Sequence, residues 1–349
     1  MTKWLTLIAR VVAVLMLFAC VAGVGQGKRL LIGYGAPELY GGQLDIQNGL
    51  VRHAQALGFE VLTTNANGDA VKQANQIDDF IAMRVDAIVV VPVDSAAICS
   101  SIRKARQAGI PFYTIDRAPI GCTPDSAPEM VVLADNYMAG RQAGEAMVKL
   151  LTQKYGKPQG TVLELQGDLG TNVAILRGRG FNDVIKQYPN IKVIQKPTNW
   201  QADRFAAITR DVLSVQKVDG IYLHSDNIGI PAVIPTLRQL GLLKKRGEKG
   251  HIFITGVDGG PAMLQAIREG WADAAASQPL NDFGIVAEFI LARLQGKEIK
   301  EQTVTREGAL WSPAQVRKAD WGGWELLLAT TLVTPENVND PRLYGNQPR

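Results

Sequence analysis

Ten strand-like runs alternate with helical patterns along this chain, and this alternation constrains the fold more than any other feature. The runs are rich in Val, Ile and Leu and fall at 29–34, 59–63, 87–91, 111–115, 130–134, 160–166, 191–195, 219–223, 252–257 and 273–276. Runs such as 87–91 are apolar throughout, as strands buried on both faces require, while the segments between runs are amphipathic. This alternation predicts parallel sheets covered by helices on both faces, the doubly wound α/β class.

One five-residue phrase occurs twice. Val85-Asp86-Ala87-Ile88-Val89 is matched 133 residues later by Val218-Asp219-Gly220-Ile221-Tyr222, and each copy precedes a short loop. A chain of 349 residues also suits two domains better than a single core. We therefore predict two similar Rossmann-like lobes with a ligand cleft between them. We interpret Asp86 and Asp219 as structural residues at the turn into a buried strand.

The N-terminal segment has the order of a secretory signal. Lys3 and Arg10 flank an apolar run at 11–22, and small residues follow. The run is too short for a good membrane span, so residues 1–25 are predicted to be a signal peptide and the protein to be periplasmic. The residues around Cys20 resemble a lipobox, which leaves a lipid anchor there as an alternative. For Cys99 and Cys122, a disulfide and two buried free thiols both remain open.

Composition and motifs exclude several classes of function. Lys and Arg total 37 against 33 acidic residues, which is not the strong basic excess of a nucleic-acid-binding protein. Gly33-Tyr34-Gly35 lacks the third glycine of a dinucleotide fingerprint, and neither a serine-hydrolase elbow nor a phosphate loop occurs. The three histidines have no metal-ligand spacing. We therefore predict no catalytic residues, no metal and no cofactor: the protein is not expected to be an enzyme.

Polar residues follow several strands, where ligands of open parallel sheets bind. These are Asp116-Arg117, Asp135-Asn136, Gln166-Gly167, Ser225-Asp226-Asn227 and Asp258-Gly259. A carboxylate beside a guanidinium offers strong acceptors and a rigid donor fork to the hydroxyls of a polyol. The alternative for each carboxylate is a helix N-cap, which is favoured, with a hinge role, for Asp135. For Asp116 the alternative is a salt bridge to Arg117 or a turn role.

Two aromatic residues lie in polar turns. Trp200 follows Thr198-Asn199, and Tyr40 lies before Gly41 and Gly42. A ring face can stack on the C–H face of a sugar, although a ring folded over its own helix fits the sequence equally well.

Five motifs in order resemble the periplasmic ribose-binding protein family, the extracytoplasmic binding components of ABC sugar importers, which have the type 1 periplasmic binding protein fold. They are Thr114-Ile115-Asp116-Arg117, Ala134-Asp135-Asn136, Glu164-Leu165-Gln166-Gly167 with Gly170-Thr171, Arg177-Gly178-Arg179-Gly180-Phe181 and Gly256-Val257-Asp258-Gly259. The resemblance runs from about residue 28 to residue 296. The tail at 334–346 looks like the longer tail of some sugar-binding members.

The resemblance implies a set of ligand-binding residues. Asp116 and Arg117 would hold sugar hydroxyls in the first lobe, Asp258 and Gln278 would do so in the second, and Trp200 would stack on the sugar. The candidate set also includes Tyr40, Ser225 and Asn172.

Some positions depart from the ribose-binding pattern. Ser225 stands where ribose binders have a ligand-binding Asn, and Ile175 where they have a ligand-binding Arg. Gly42 and Gln43 replace a pair of Phe residues. A larger or differently hydroxylated sugar or polyol therefore fits better than ribose.

The resemblance also implies lobes joined by a three-segment hinge, with crossings near Asp135, near Gln278 and between Gly296 and Glu307. The first lobe would comprise 28–134 plus 279–302, and the second 135–278 plus 303–349. Hinge closure would bury a monosaccharide or polyol and present the closed form to a membrane permease. The alternative partner is a chemoreceptor or sensor kinase. The protein would be a monomer and would bind no nucleic acid.

Overall fold

A computed structural model describes residues 29–319 and 321–348. The predicted signal segment and Cys20 lie outside the described residues. The strands are β1 (Leu30–Ala36), β2 (Phe59–Asn65), β3 (Ala87–Val90), β4 (Phe112–Ile115), β5 (Met130–Ala134), β6 (Gly160–Gln166), β7 (Ile191–Pro197), β8 (Gly220–Leu223), β9 (Phe253–Asp258), β10 (Ala274–Ser277), β11 (Gln302–Val304), β12 (Ala314–Lys318), β13 (Trp324–Leu328) and β14 (Thr331–Val333).

The helices are α1 (Gly42–Ala56), α2 (Ala70–Ala82), α3 (Ile98–Gln107), α4 (Asn136–Tyr155), α5 (Asn172–Ile185), α6 (Ala202–Val215), α7 (Asp226–Gln239), α8 (Pro261–Glu269) and α9 (Val286–Leu294), with 3-10 turns at Pro124–Ser126, Leu280–Ile285 and Tyr344–Asn346. None of the described helices is long and apolar enough to cross a membrane.

The strands form two sheets, one in each lobe. The first has the order β11-β12-β13-β5-β4-β3-β1-β2 and the second β14-β10-β9-β8-β6-β7. The pairs β1–β3, β3–β4 and β4–β5 are parallel, as are β6–β8, β8–β9 and β9–β10. All ten strands predicted from the sequence are present, so the prediction of two α/β lobes with mostly parallel sheets is confirmed.

The repeated phrase has the structural role assigned to it. Asp86 N donates to Leu31 O at 2.8 Å, and Leu31 N donates to Asp86 Oδ2 at 2.8 Å. Asp219 makes the same two bonds with Thr161, at 2.8 and 3.0 Å. Each Asp therefore fixes the start of a neighbouring strand, which sets the register of that pair.

The predicted domain boundaries are wrong over residues 303–328. β13 pairs in parallel with β5, and β11 and β12 extend the first sheet beyond it as antiparallel strands. This segment therefore belongs to the first lobe, and only the chain from β14 onward joins the second. The third crossing lies between Leu328 and Thr331 and not between Gly296 and Glu307.

Cys99 and Cys122 form a disulfide, with their Cα atoms 5.3 Å apart. The bond ties α3 to the loop that follows β4. Of the two alternatives left open by the sequence, the structure therefore has the disulfide.

Candidate functional site

The carboxyl ends of the parallel strands of both lobes meet around one cavity. The volume between its walls that water can enter is about 40 Å³. The lining comprises Glu38, Tyr40, Gly42, Gln43, Ile46, Asp116, Arg117, Val173, Arg177, Trp200, Ser225, Ile228, Asp258 and Leu280. Six of the eight candidate residues are in this set: Tyr40, Asp116, Arg117, Trp200, Ser225 and Asp258.

In the first lobe, the turn after β4 carries an acid and a base. Asp116 has a φ of 63°, an uncommon angle for a residue with a side chain, and both Asp116 and Arg117 are buried. Asp116 Oδ2 accepts a hydrogen bond from Gln43 Nε2 at 2.9 Å. Arg117 NH2 donates to Glu38 Oε1 at 3.2 Å, while its Nε lies 3.8 Å from Asp116 Oδ2. The predicted ion pair is therefore present, but Glu38 is the nearer carboxylate.

In the second lobe, Asp258 at the end of β9 is the central acceptor. Ser225 Oγ donates to Asp258 Oδ2 at 2.6 Å, and Arg177 NH1 lies 3.2 Å from Asp258 Oδ1. Burial raises the pKa of Asp258, and Arg177 opposes that shift. Asp226 lies behind it, where burial and the charge of Asp258 raise its pKa well above the usual value. Asp226 accepts bonds from the backbone N–H groups of Gly259 and Gly260, which fixes the turn after β9.

Trp200 forms an aromatic wall between the two basic groups. The guanidinium carbons of Arg117 and Arg177 each lie 5.9 Å from the centroid of the ring. A Cβ added at Gly167 would be 1.9 Å from Trp200 Cη2, so the ring packs where only glycine fits. The indole Nε1 is buried and has no hydrogen-bond partner among the described residues. The ring is therefore held by the lobe and is not folded over its own helix.

Two candidate residues lie outside the cavity lining. Gln278 Nε2 donates to Asn136 Oδ1 at 2.8 Å, and Gln278 Oε1 accepts from Arg177 NH2 at 3.1 Å. Asn172 connects the lobes, because its Oδ1 accepts from Ala118 N at 3.0 Å and its N–H donates to Ser95 Oγ at 3.1 Å. Asp135 caps α4 by accepting from Met138 N at 2.9 Å, as the sequence favoured.

Sequence reasoning missed three polar residues of the lining: Glu38, Gln43 and Arg177. Arg177 lies in the motif 177–181, but the resemblance matches the family's ligand-binding Arg to Ile175, which is 44% exposed. The two positions are related as i and i+2 on α5, so they face different sides of the helix. Gln43 stands out in the sequence only as a departure from the ribose-binding pattern, and Glu38, in the loop after β1, belongs to no motif.

The histidines pair with carboxylates. Their Nε2 atoms lie 2.8 Å from Glu288 (His53), 2.8 Å from Glu164 (His224) and 3.0 Å from Asp273 (His251). Within the described ranges, no group of three or more His, Cys, Asp or Glu residues could hold a metal ion.

Known proteins share both the sequence pattern and the fold. The family profile described as a periplasmic binding protein domain matches residues 41–298. A xylitol-binding protein of Mycolicibacterium smegmatis is 34% identical over 64% of this chain, which spans 60% of that relative. A galactofuranose-binding protein of Escherichia coli is 30% identical over 69% of this chain and 76% of its own length.

Among solved structures, an ABC transporter solute binding protein from Bacillus halodurans with bound myo-inositol has a TM-score of 0.75 at 23% identity. The alignment covers 91% of this chain and 99% of that structure. The expected type 1 fold is thereby confirmed. The chain belongs to the periplasmic binding protein family.

Proposed function

We propose that this protein is the extracytoplasmic solute-binding component of an ABC importer and binds a monosaccharide or polyol between its lobes. One observation carries the proposal: Asp116 and Arg117 of one lobe face Asp258 and Arg177 of the other across a cavity walled by Trp200. Two acid–base pairs offer acceptors and donors to several hydroxyls at once, and the ring offers a stacking face. The xylitol- and galactofuranose-binding relatives support the same ligand class.

Each lining residue has a proposed role. Asp116 and Asp258 accept bonds from ligand hydroxyls, Arg117 and Arg177 donate to ring or hydroxyl oxygens, and Trp200 stacks on the C–H face. The role is binding and not catalysis, because the family consists of solute-binding proteins.

The permease would recognise the closed form of the two lobes. Ligand binding can drive closure only through a difference in affinity between the open and closed forms, and residues from both lobes are needed to create that difference. Tyr40 Oη donates to Trp200 O at 3.1 Å across the mouth, so Tyr40 is proposed to close over the ligand more than to stack on it.

Export and partners are part of the proposal. Residues 1–25 would direct the chain to the periplasm, with a lipid anchor at Cys20 as the alternative, and the mature protein would act as a monomer. A chemoreceptor or sensor kinase is the alternative reader of the closed form. A permease and an ATPase encoded beside this protein would favour import, whereas a lone sensor would favour signalling.

A thermal-shift panel tests the proposed ligand class. Pentoses, hexoses, sugar alcohols and inositols are added to the purified protein, and the melting temperature is recorded. A ligand at 100 times its dissociation constant adds about 2.7 kcal/mol to the free energy of unfolding, so a true ligand gives a clear upward shift. A folded protein that no member of the panel stabilises would count heavily against sugar or polyol binding. A ligand consumed during incubation would instead indicate an enzyme.

A further inference from the structure

The C-terminal tail is fixed to the second lobe. Val338 and Leu343 are buried in the apolar core of that lobe, and Arg268 on α8 donates through Nε to Asn339 Oδ1 at 2.8 Å. A Cβ added at Gly345 would lie 2.4 Å from Gly259 O, so the tail passes directly over the turn that carries Asp258. The tail therefore moves with the second lobe.

From this position the tail reaches the first lobe in two places. The hydroxyl of Tyr344, which is 4% exposed, lies 3.1 Å from Asp45 Oδ2 on α1. Gln347 Oε1 accepts from Asn281 Nδ2 at 2.9 Å, and Asn281 lies beside α1, with its carbonyl 2.4 Å from where a Cβ on Gly49 would be. Opening of the lobes would break both bonds.

The same hydroxyl is connected to the cavity. Tyr344 Oη lies 2.9 Å from Asn227 Oδ1, and Asn227 Nδ2 donates to Asp258 Oδ2 at 3.3 Å. A Cβ added at Gly42 would be 2.9 Å from Asn227 Nδ2, so this amide also lies against the first lobe. The bonds thus form a chain from Asp45 through Tyr344 and Asn227 to the cavity carboxylate.

We propose that Tyr344 is a positioning residue that latches the two lobes in the closed arrangement and holds Asn227 against Asp258. The inference rests on the proposed closure and goes beyond the ligand contacts. Because this series of hydrogen bonds needs no ligand, the latch keeps part of the ligand-free population closed. The hydroxyl has one proton to share between two oxygen acceptors, so its contribution is that of about one bond to a charged group.

The test measures closure directly in the full chain. Spin labels are placed on Val71→Cys and Val215→Cys, both on exposed positions, in a Cys20→Ser background with the native disulfide intact. These positions lie on α2 and α6, which follow β2 and β7 at the sheet edges away from the crossings. Pulsed electron–electron double resonance then measures the distance between the labels without ligand. The ratio of the short-distance to the long-distance population gives the ratio of closed to open molecules.

In the parent protein we expect both the short and the long distance between the spin labels. In Tyr344→Phe the ratio of the short-distance to the long-distance population should fall about tenfold, because one hydrogen bond to a charged group is lost. Gln347→Ala, which removes the second tail bond, should give a smaller fall. Tyr137→Phe is the matched control, because its hydroxyl donates to Asp183 Oδ2 at 2.9 Å within the second lobe. That variant should leave the ratio unchanged.

A parent protein with only the long distance, or a Tyr344→Phe ratio equal to the parent's, would overturn the latch. The outcome is separable from the ligand panel. A negative panel with a shifted ratio would refute sugar binding and leave the latch standing, whereas a positive panel with an unchanged ratio would do the reverse.

Discussion

Asp258 is the residue on which the proposed site depends most. Its carboxylate is within bonding distance of Ser225 and Arg177, and it lies at the end of β9, where the chain turns toward α8. Asp116, Arg117, Trp200 and Asp258, which the sequence predicts as site residues, line the cavity, because residues that follow strands can be read from the chain. Arg177 is missed, because the face of α5 that meets the cavity is decided by packing against α4 and not by a local signal.

Replacement of Asp258 by Asn keeps the size of the side chain and removes its charge. Bonds from ligand hydroxyls to a carboxylate contribute about 1.5–3 kcal/mol, so the dissociation constant should rise about 10- to 150-fold. Calorimetric titration with a ligand from the panel measures this change. Asp211→Asn, on the exposed face of α6, is the control with the same change in charge. An unchanged affinity in Asp258→Asn would remove Asp258 from the site.

Two buried histidines should give opposite pH dependence. Burial lowers the pKa of His224 from 6.5, so the unfolded chain takes up a proton that the folded chain refuses, and stability falls as the pH drops below about 6.5. Burial lowers the pKa of His251, but the hydrogen bond to Asp273 outweighs this and raises the pKa above 6.5. Protonated His251 therefore stabilises the fold below pH 6.5, and this stabilisation is lost as the pH rises through the pKa of the folded state.

Urea unfolding at pH 7 and pH 5 measures this difference. From pH 7 to pH 5 the free energy of unfolding of the parent should fall more than that of His224→Gln and less than that of His251→Gln. Each difference is at most about 1.4 kcal/mol per pH unit, the limit for one proton. In His224→Gln the amide can still donate to Glu164. Equal pH slopes in all three proteins would contradict the assignment.

At the scale of elements, the prediction succeeded for the ten strands β1 to β10 and missed the four strands β11 to β14 that follow them in the chain. Strands buried on both faces are apolar throughout, which makes β3, β4 and β5 evident in the sequence. β11, β12 and β14 have three to five residues, and Gln315 and Arg317 on β12 are exposed. Short strands with mixed polarity resemble loops, so residues 303–328 could not be assigned to the first sheet from the sequence.

The loop after β4 is the element that combines the site with the lobe contact. It carries Asp116 and Arg117, its Ala118 N–H donates to Asn172 of the other lobe, and the disulfide from Cys99 to Cys122 closes it. A cross-link between cysteines 23 residues apart lowers the conformational entropy of the unfolded chain, which stabilises the folded protein by about 3 kcal/mol.

Reduction of this disulfide should therefore lower both the melting temperature and the affinity for ligand, since the loop is freed at the site itself. Thermal melting and titration with and without reductant measure the two effects. The double variant Cys99→Ser, Cys122→Ser should match the reduced protein and be insensitive to reductant. A reduced protein, verified by thiol titration, that melts and binds like the oxidised form would show that the cross-link has no such role.

At the scale of the whole molecule, the proposed function depends on two lobes that each contribute residues to the cavity. The phrase shared by residues 85–89 and 218–222 shows the common scaffold, while the differences between the lobes determine the ligand. Glu38 and Gln43 accompany Arg117 and Asp116 on one side, and Ser225 and Arg177 accompany Asp258 on the other. The two lobes are connected at 134–136, 277–280 and 328–331, and rotation about these crossings would open and close the cavity that these groups line.

Calorimetric titration of the purified protein with neutral sugars and polyols tests the central claim most directly. The account predicts saturable one-site binding by at least one of these compounds, with the heat greatly reduced in Asp258→Asn and unchanged in Asp211→Asn. A folded, monodisperse protein that gives no heat with any of them, or that binds one equally well without the Asp258 carboxylate, would contradict the proposed site.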